Sequence, residues 1–280
     1  MRDWGVRAWF LVVMAACGRL DFDSVDHSSL GDGATGDATE IGMGPGSGSG
    51  TTPVTLTGVY LISGDGVNPT SVLTLDLATG DVAVVGTIAA GAGFLGGLAL
   101  WDANTLYATG NGKLIEITLA PFGAHLVATI TTDQIAGLET EAPYLTAVDA
   151  TTSTLVIYTR SNFATPPTTK PLGIPLLTGD IAQASYALGA YYFSNSNHTL
   201  YSVYTATGNS TVTGAVPSVG TVAGMFSVNN YTQYYVTSSD LDEVIPIDIT
   251  NGATGAAIPL CHPCPSTHYD LLDGDAASVP

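Results

Sequence analysis

The sequence predicts an all-β fold, a five-bladed β-propeller that is closed by its C-terminal strand and preceded by a disordered tether. Two observations support this prediction. Short apolar segments return at intervals of about 40 to 46 residues in three separate registers, and long amphipathic helical patterns are absent. A period of about 40 residues with several strand-like segments per unit is typical of propeller blades.

The composition excludes several classes of partner. The 280 residues contain 6 Lys and Arg against 24 Asp and Glu, which gives a formal net charge of -18. A nucleic-acid-binding protein needs clustered cations to displace counterions, so we expect no nucleic acid partner. The same charge argues against adsorption to an anionic membrane surface. With 11% charged and 45% hydrophobic residues, the chain suits a large β core.

Residues 1–16 have the pattern of a secretory signal peptide. Arg2 and Arg7 precede a short apolar run that ends in Met14-Ala15-Ala16-Cys17, too short to span a bilayer. This ending resembles the lipobox of bacterial lipoproteins. The resemblance implies cleavage before Cys17, acylation of that cysteine and, because Gly18 follows it, sorting to the outer membrane. The alternative is an ordinary signal peptide that releases a soluble protein.

Residues 17–53 are predicted to form the tether. The segment is acidic and rich in Gly and Ser, and it ends in Gly44-Pro45-Gly46-Ser47-Gly48-Ser49-Gly50. It has almost no apolar surface to bury, so we expect disorder.

Residues 54–280 are predicted to form the propeller. The innermost strands begin with small and apolar residues, and their copies are Gly96-Gly97-Leu98, Ile135-Ala136-Gly137-Leu138, Ile181-Ala182-Gln183-Ala184, Val222-Ala223-Gly224-Met225 and His268-Tyr269-Asp270-Leu271. The second strands are aromatic, at Tyr60-Leu61, Leu106-Tyr107, Tyr144-Leu145, Tyr191-Tyr192 and Tyr234-Tyr235. The third strands alternate apolar and polar residues, as in Leu73-Thr74-Leu75-Asp76-Leu77. Gly80, Gly208 and Gly252 stand where tight turns need a positive φ.

The last copy of the innermost strand predicts circular closure. The first aromatic strand has no innermost strand before it, whereas the fifth copy stands at the end of the chain. We therefore expect residues 269–273 to complete the first blade and to leave no long open edge. The third unit, residues 134–177, is the least regular.

The turn Leu73-Thr74-Leu75-Asp76-Leu77-Ala78-Thr79-Gly80 resembles that of YVTN and quinoprotein-like bacterial surface propellers. The resemblance implies the fold alone, since propellers serve as lectins, hydrolases and passive scaffolds.

Cys261 and Cys264 leave three alternatives. An export compartment favours a small disulfide loop between them. A redox pair would need a helix that begins at the first cysteine. A metal site would add His262 and His268, but one close cysteine pair is weak evidence for zinc. We expect the disulfide, with no metal and no cofactor.

Catalysis is the less favoured expectation. Asp133, Asp180 and Asp270 lie beside predicted innermost strands, with Glu139 and Glu141 close by. Glycoside cleavage requires two carboxyl groups about 5 to 10 Å apart. Acids at strand ends are more often turn residues.

Ligand binding is the favoured expectation. Tyr191, Tyr192, Tyr234 and Tyr235 belong to a group of tyrosines concentrated in the last two blades, and tyrosine faces can stack on sugar rings or form protein contacts. The sequence thus predicts an envelope lipoprotein with a binding or scaffolding propeller, whose partner is an envelope protein or a glycan. A glycan-binding or glycoside-hydrolase propeller is the alternative.

Overall fold

The computed structural model describes residues 58–64, 69–89, 95, 97–130, 135–141, 143–149, 152–173, 182–185, 190–194, 198–216, 219–228, 232–238, 240–260 and 271–276. For residues 135–136, 182–185, 190–194 and 271–276 it describes the backbone alone. The predicted signal peptide and tether therefore lie outside the described residues, as do Cys17, Cys261 and Cys264.

The described residues form twenty strands and one short 3₁₀ helix, Arg160–Asn162. The first sheet has β1 (Val59–Ser63), β2 (Thr70–Leu75) and β3 (Val82–Ile88). The second has β4 (Gly97–Asp102), β5 (Thr105–Gly110), β6 (Lys113–Leu119) and β7 (Phe122–Thr129). The third has β8 (Ile135–Glu141), β9 (Tyr144–Asp149), β10 (Thr154–Thr159) and β11 (Thr168–Pro171). The fourth has β12 (Ala182–Ser185), β13 (Ala190–Ser194), β14 (Thr199–Tyr204) and β15 (Asn209–Ala215). The fifth has β16 (Val222–Val228), β17 (Gln233–Ser238), β18 (Glu243–Ile247) and β19 (Ile258–Pro259), and β20 (Leu271–Ala276) joins the first sheet.

These strands are arranged as a β-propeller. Within the described residues they form five four-stranded antiparallel sheets, in each of which consecutive strands are neighbours, apart from β20. The innermost strands contact one another in a closed ring, from β20 to β4, β8, β12, β16 and back to β20. The predicted all-β propeller arrangement is confirmed, and the described parts of the predicted inner, aromatic and alternating segments fall on the first three strands of the sheets. Of the last inner copy, residues 268–271, Leu271 alone is described.

The C-terminal strand closes the first sheet. β20 pairs antiparallel with β1, so that Val59 lies opposite Ala276 and Leu61 opposite Gly274. The described closing strand, Leu271–Ala276, includes residues 271–273 of the predicted segment 269–273, and residues 269 and 270 lie outside the described residues. The N- and C-terminal parts of the propeller thus share one sheet, and β1 has a partner on each side.

Each sheet ends in a buried apolar residue at the end of its outer strand. These residues are Ile88, Ile130, Leu172, Val216 and Leu260, each less than 9% exposed. In four of the sheets, the amide of this residue donates a hydrogen bond to a carbonyl in the turn between the second and third strands, with distances of 2.6 to 2.9 Å. The apolar end and the turn therefore hold the outer strand in the same way around the ring.

Hydrophobic clusters fill the spaces between neighbouring sheets. Among the described residues, one cluster joins the first and second sheets, one the second and third, one the fourth and fifth, and one the fifth and first. Tyr60, Tyr107 and Phe226 are among the largest fully buried side chains. Burial at about 25 cal/mol per Å² of apolar surface makes these interfaces the main source of stability.

Candidate functional site: a groove on the fifth sheet

A groove of about 640 Å³ opens at one end of the fifth sheet. It is lined by Thr232, Gln233, Tyr234, Tyr235, Pro246, Ile247, Asp248, Ile249, Thr250, Ala253, Thr254 and Gly255. These residues come from the start of β17, the end of β18 and the segment that follows β18. The groove thus lies at the end of the sheet where the third strand turns into the fourth.

The groove forms because the outer strand of this sheet is short. β19 has two residues, and they pair with Glu243 and Val244 at the start of β18. Beside the end of β18, the chain instead runs as an irregular wall, held by an isolated bridge between Ile247 and Thr254. The Gly255 amide donates to the Pro246 carbonyl at 2.9 Å. The end of β18 therefore has no regular outer strand beside it, and the groove lies at this position.

Tyr235 supplies the aromatic surface of the groove. Its ring stacks on Phe226 with centroids 5.4 Å apart and an angle of 14° between the planes. The phenol hydroxyl donates to Oε1 of Gln233 at 3.4 Å, and Tyr235 lies opposite Pro246 in the strand register. The ring is half-buried, so one face is fixed by packing while the side chain still lines the groove.

The neighbouring Tyr234 has a different role. Its side chain is 4% exposed and packs into the cluster between the fourth and fifth sheets. Of the two predicted ligand-binding tyrosines on this strand, Tyr235 is therefore the accessible one, and Tyr234 forms part of the core beneath it. Tyr191 and Tyr192 lie on β13, and their side chains lie outside the described part of the structure.

Asp248 supplies a fixed negative charge at the rim of the groove. Its Oδ1 accepts hydrogen bonds from the Thr250 amide at 2.9 Å and the Thr250 hydroxyl at 2.7 Å. Its Oδ2 accepts one from Asn251 Nδ2 at 2.9 Å. The bonds from Thr250 are the main cause that lowers the pKa of this carboxyl below its usual range, so Asp248 is ionised at neutral pH.

Among the described residues that line the groove, Asp248 is the one Asp or Glu. Glycoside cleavage needs two carboxyl groups, one of them protonated. The predicted catalytic candidates Asp133, Asp180 and Asp270 lie outside the described residues, whereas Glu139 is 3% exposed on β8, opposite Thr146 of β9.

A second polar cluster joins the second and third sheets, and sequence reasoning missed it. Arg160 follows β10, and its guanidinium carbon lies 4.6 Å from the centroid of the Trp101 ring. Arg160 Nε donates to the Tyr107 hydroxyl at 2.8 Å, and that hydroxyl donates a short hydrogen bond to Glu116. His125 Nε2 lies 3.7 Å from Glu116 Oε1.

This cluster connects the second and third sheets through a chain of polar contacts. Burial, together with the bond to Glu116, raises the pKa of Tyr107 to about 12, so the phenol keeps its proton at neutral pH. Its hydroxyl accepts from Arg160 and donates to Glu116, and it thereby links the two side chains. The bond to Tyr107 is the main cause that raises the pKa of Arg160. Since Trp101 and Tyr107 contact the guanidinium, and Glu116 is linked to it through Tyr107, we assign Arg160 to packing. No sequence spacing links these residues, which come from separate strands.

Two further features are absent from the described part of the chain. It contains no group of three or more His, Cys, Asp or Glu side chains arranged to hold a metal ion. None of its helices has the length and apolar character needed to cross a membrane.

Comparison with known proteins gives the fold and no family. No protein-family model matches the sequence, and no curated protein matches it. The structure is similar to one in the crystal structure of a nidogen/laminin complex, with a TM-score of 0.54 and 13% identity over 79% of this chain and 98% of that chain. At that identity the likeness shows the fold alone.

Two other solved structures are similar at TM-scores below 0.5. One is Myxococcus xanthus glutaminyl cyclase, with a TM-score of 0.48 and 15% identity over 64% of this chain and 88% of that chain. The other is a protein of unknown function from Bacteroides thetaiotaomicron, with a TM-score of 0.47 and 13% identity over 70% of this chain and 64% of that chain.

Proposed function

We propose that this protein is a cell-envelope lipoprotein whose propeller, with each sheet as one of five blades, is a non-catalytic binding module. The binding site is the groove on the fifth sheet. One observation carries the proposal: a groove of about 640 Å³ in which the Tyr235 ring is fixed by stacking on Phe226. Preformed concave sites with a few fixed polar groups are the usual form of ligand sites.

Binding is favoured over catalysis by the chemistry of the groove. The Asp248 carboxylate, the one acid among its described lining residues, is ionised and held by the turn that it caps. A general acid would have to retain a proton near neutral pH, which needs an environment that raises the pKa. The glycoside-hydrolase alternative depends on Asp133, Asp180 and Asp270, and it stays a prediction.

The envelope location rests on the N-terminal sequence. The lipobox-like Met14-Ala15-Ala16-Cys17 followed by Gly18 supports acylation of Cys17 and sorting to the outer membrane. We expect labelled fatty acid to be incorporated into the wild-type protein expressed in a bacterium and to be absent from the Cys17→Ser variant. Equal labelling of the two proteins would refute the anchor.

The binding role is tested with delipidated cell-envelope polymer, so that the lipid anchor cannot cause retention. We expect the full-length protein in detergent to sediment with this polymer and the Tyr235→Ala variant to remain in the supernatant. The matched control is Tyr204→Ala, because Tyr204 is 52% exposed and is not part of the groove. If Tyr235→Ala sediments as well as the control, the groove is not the binding site.

A further inference from the structure

The polar groups of the groove are suited to an uncharged ligand with many hydroxyl groups. Besides Asp248, they are the side chains of Thr232, Gln233, Thr250 and Thr254. Hydroxyls and amides both donate and accept hydrogen bonds, and a carboxylate has about four lone-pair sites. The Asp248 carboxylate accepts three hydrogen bonds from its own turn, which leaves capacity for a ligand hydroxyl.

The aromatic surface is suited to the apolar face of a ring. Phe226 holds the Tyr235 ring parallel to itself at 5.4 Å, so little rotamer freedom is lost when a ligand packs on the groove side. Pro246 lies opposite Tyr235 and extends the same surface. A flat apolar platform with hydrogen-bonding groups at its rim matches a pyranose, which has C–H groups on its faces and hydroxyls around its edge.

The charge distribution disfavours an acidic ligand. None of the described residues that line the groove is Lys or Arg, and the whole chain carries a formal net charge of -18. The three described Lys and Arg residues lie elsewhere. Lys113 is on β6 of the second sheet, Arg160 donates to Tyr107, and Lys170 donates to the carbonyls of Thr205 and Ala206 at 2.7 and 3.1 Å. An anionic polymer would meet the Asp248 carboxylate without a compensating cation.

The backbone beside the groove disfavours an extended peptide. A peptide that adds to a sheet needs free amides and carbonyls along the edge strand. At the groove the edge of β18 contains Pro246, which has no amide hydrogen, and the carbonyl of Pro246 already accepts from Gly255. The bridge between Ile247 and Thr254 occupies the next position.

From these four observations we infer that the groove binds a neutral glycan, with one pyranose ring against Tyr235 and its hydroxyl groups toward Gln233 and Asp248. This inference rests on the proposed binding function and names the ligand class of the same site. It makes the protein lectin-like, with selectivity for uncharged over acidic sugars.

A glycan array that carries neutral and uronate-containing oligosaccharides tests the inference, with the full-length protein in detergent. We expect binding confined to neutral glycans. For the best of these in solution calorimetry, Tyr235→Ala should weaken affinity about tenfold or more, and Tyr235→Phe should retain most of it because the platform remains. Tyr204→Ala should bind as the wild type does. Raising the salt concentration should leave the affinity unchanged, since no ionic contact is made.

Three outcomes would overturn the inference: uronate-containing glycans that bind as tightly as neutral ones, an array without neutral ligands, or a neutral ligand whose affinity Tyr235→Ala leaves unchanged while that variant unfolds at the wild-type temperature. The two proposals fail separately. If Tyr235→Ala abolishes sedimentation with envelope polymer but no neutral glycan binds, the ligand class is wrong and the groove function stands. If sedimentation is unaffected, the groove function itself is wrong.

Discussion

At the scale of single residues, three turn glycines join neighbouring sheets. Gly80, Gly208 and Gly252 have φ values of 79°, 78° and 78°. The amide of each donates to the carbonyl four residues earlier, at 2.7 to 2.8 Å. A Cβ at any of them would lie 2.2 to 2.4 Å from a backbone carbonyl oxygen at the end of the preceding sheet's outer strand. Conformation and close packing therefore both require glycine here.

Gly208→Ala should accordingly destabilise the protein. The left-handed conformation costs about 1 to 2 kcal/mol for a residue with a Cβ. The new Cβ would also overlap the Pro171 carbonyl oxygen, which lies 2.4 Å from the Cβ position and, as a backbone atom, cannot move aside as the end of a side chain can. We expect a loss of about 2 kcal/mol or more in the free energy of unfolding from urea titrations.

The matched control for Gly208→Ala is Gly123→Ala. A Cβ at Gly123 meets nothing within 4 Å, so its free energy of unfolding should change by less than about 1 kcal/mol. Equal losses in the two variants would contradict the packing argument.

The sequence predicts the backbone conformation of these glycines but not their contacts. The positive φ of the three turn glycines was predictable, because a tight turn after an alternating strand needs it, and the structure confirms it. Their contact with the preceding sheet was not predictable, since it depends on how the sheets twist around the ring. Likewise, adjacent residues of a strand face opposite sides, but the pattern Tyr234-Tyr235 does not say which side opens into a groove.

At the scale of elements, the most regular repeat lies in the outer strands. The buried ends Ile88, Ile130, Leu172, Val216 and Leu260 are spaced 42 to 44 residues apart, more evenly than the inner-strand segments. A signal for these ends was present in the sequence, as a single apolar residue that recurs at nearly constant spacing. A single residue is weak evidence by itself. The structure gives these residues a common role, because in four of the sheets the amide of this residue donates a hydrogen bond to the turn between the second and third strands.

The aromatic second strands also acquire a meaning that periodicity alone did not supply. Tyr60, Tyr107 and Tyr235 each lie on the second strand and pack in the cluster shared with the following sheet. Large planar side chains fill the widening space between sheets as they fan out from the ring. In the fifth sheet the outer strand is short, so the same packing position becomes the wall of a groove.

The irregular third sheet illustrates the limit of pattern reasoning. The sequence predicts that residues 134–177 form the least regular unit, and the structure has the 3₁₀ helix Arg160–Asn162 between β10 and β11. This helix carries Arg160 to Trp101 and Tyr107 of the second sheet. A departure from the repeat can thus be located from sequence, but its partner depends on tertiary packing.

At the scale of the whole molecule, stability depends on closure of the ring by β20. This strand supplies the innermost position of the first sheet and contacts the innermost strands on both sides, β16 and β4. Without it, β1 would expose an unpaired edge next to Tyr60, Leu61 and Ile62, which are at most 1% exposed. An open apolar edge of this kind invites aggregation.

Removal of residues 261–280 should therefore lower the Tm by about 10 °C or more in thermal unfolding followed by circular dichroism, because several kcal/mol of strand pairing and packing are lost at once.

A circular permutant tests whether the position of the closing strand in the sheet matters or its place in the chain order. Since Ala276 lies opposite Val59, residues 261–280 placed before residues 54–260 would enter β1 through a simple hairpin, as in the other sheets. We expect this permutant to unfold within about 5 °C of the unpermuted residues 54–280. A truncated chain as stable as the complete propeller would show that the ring does not need β20. A permutant as unstable as the truncated chain would show that closure depends on the order of the strands and not only on their presence.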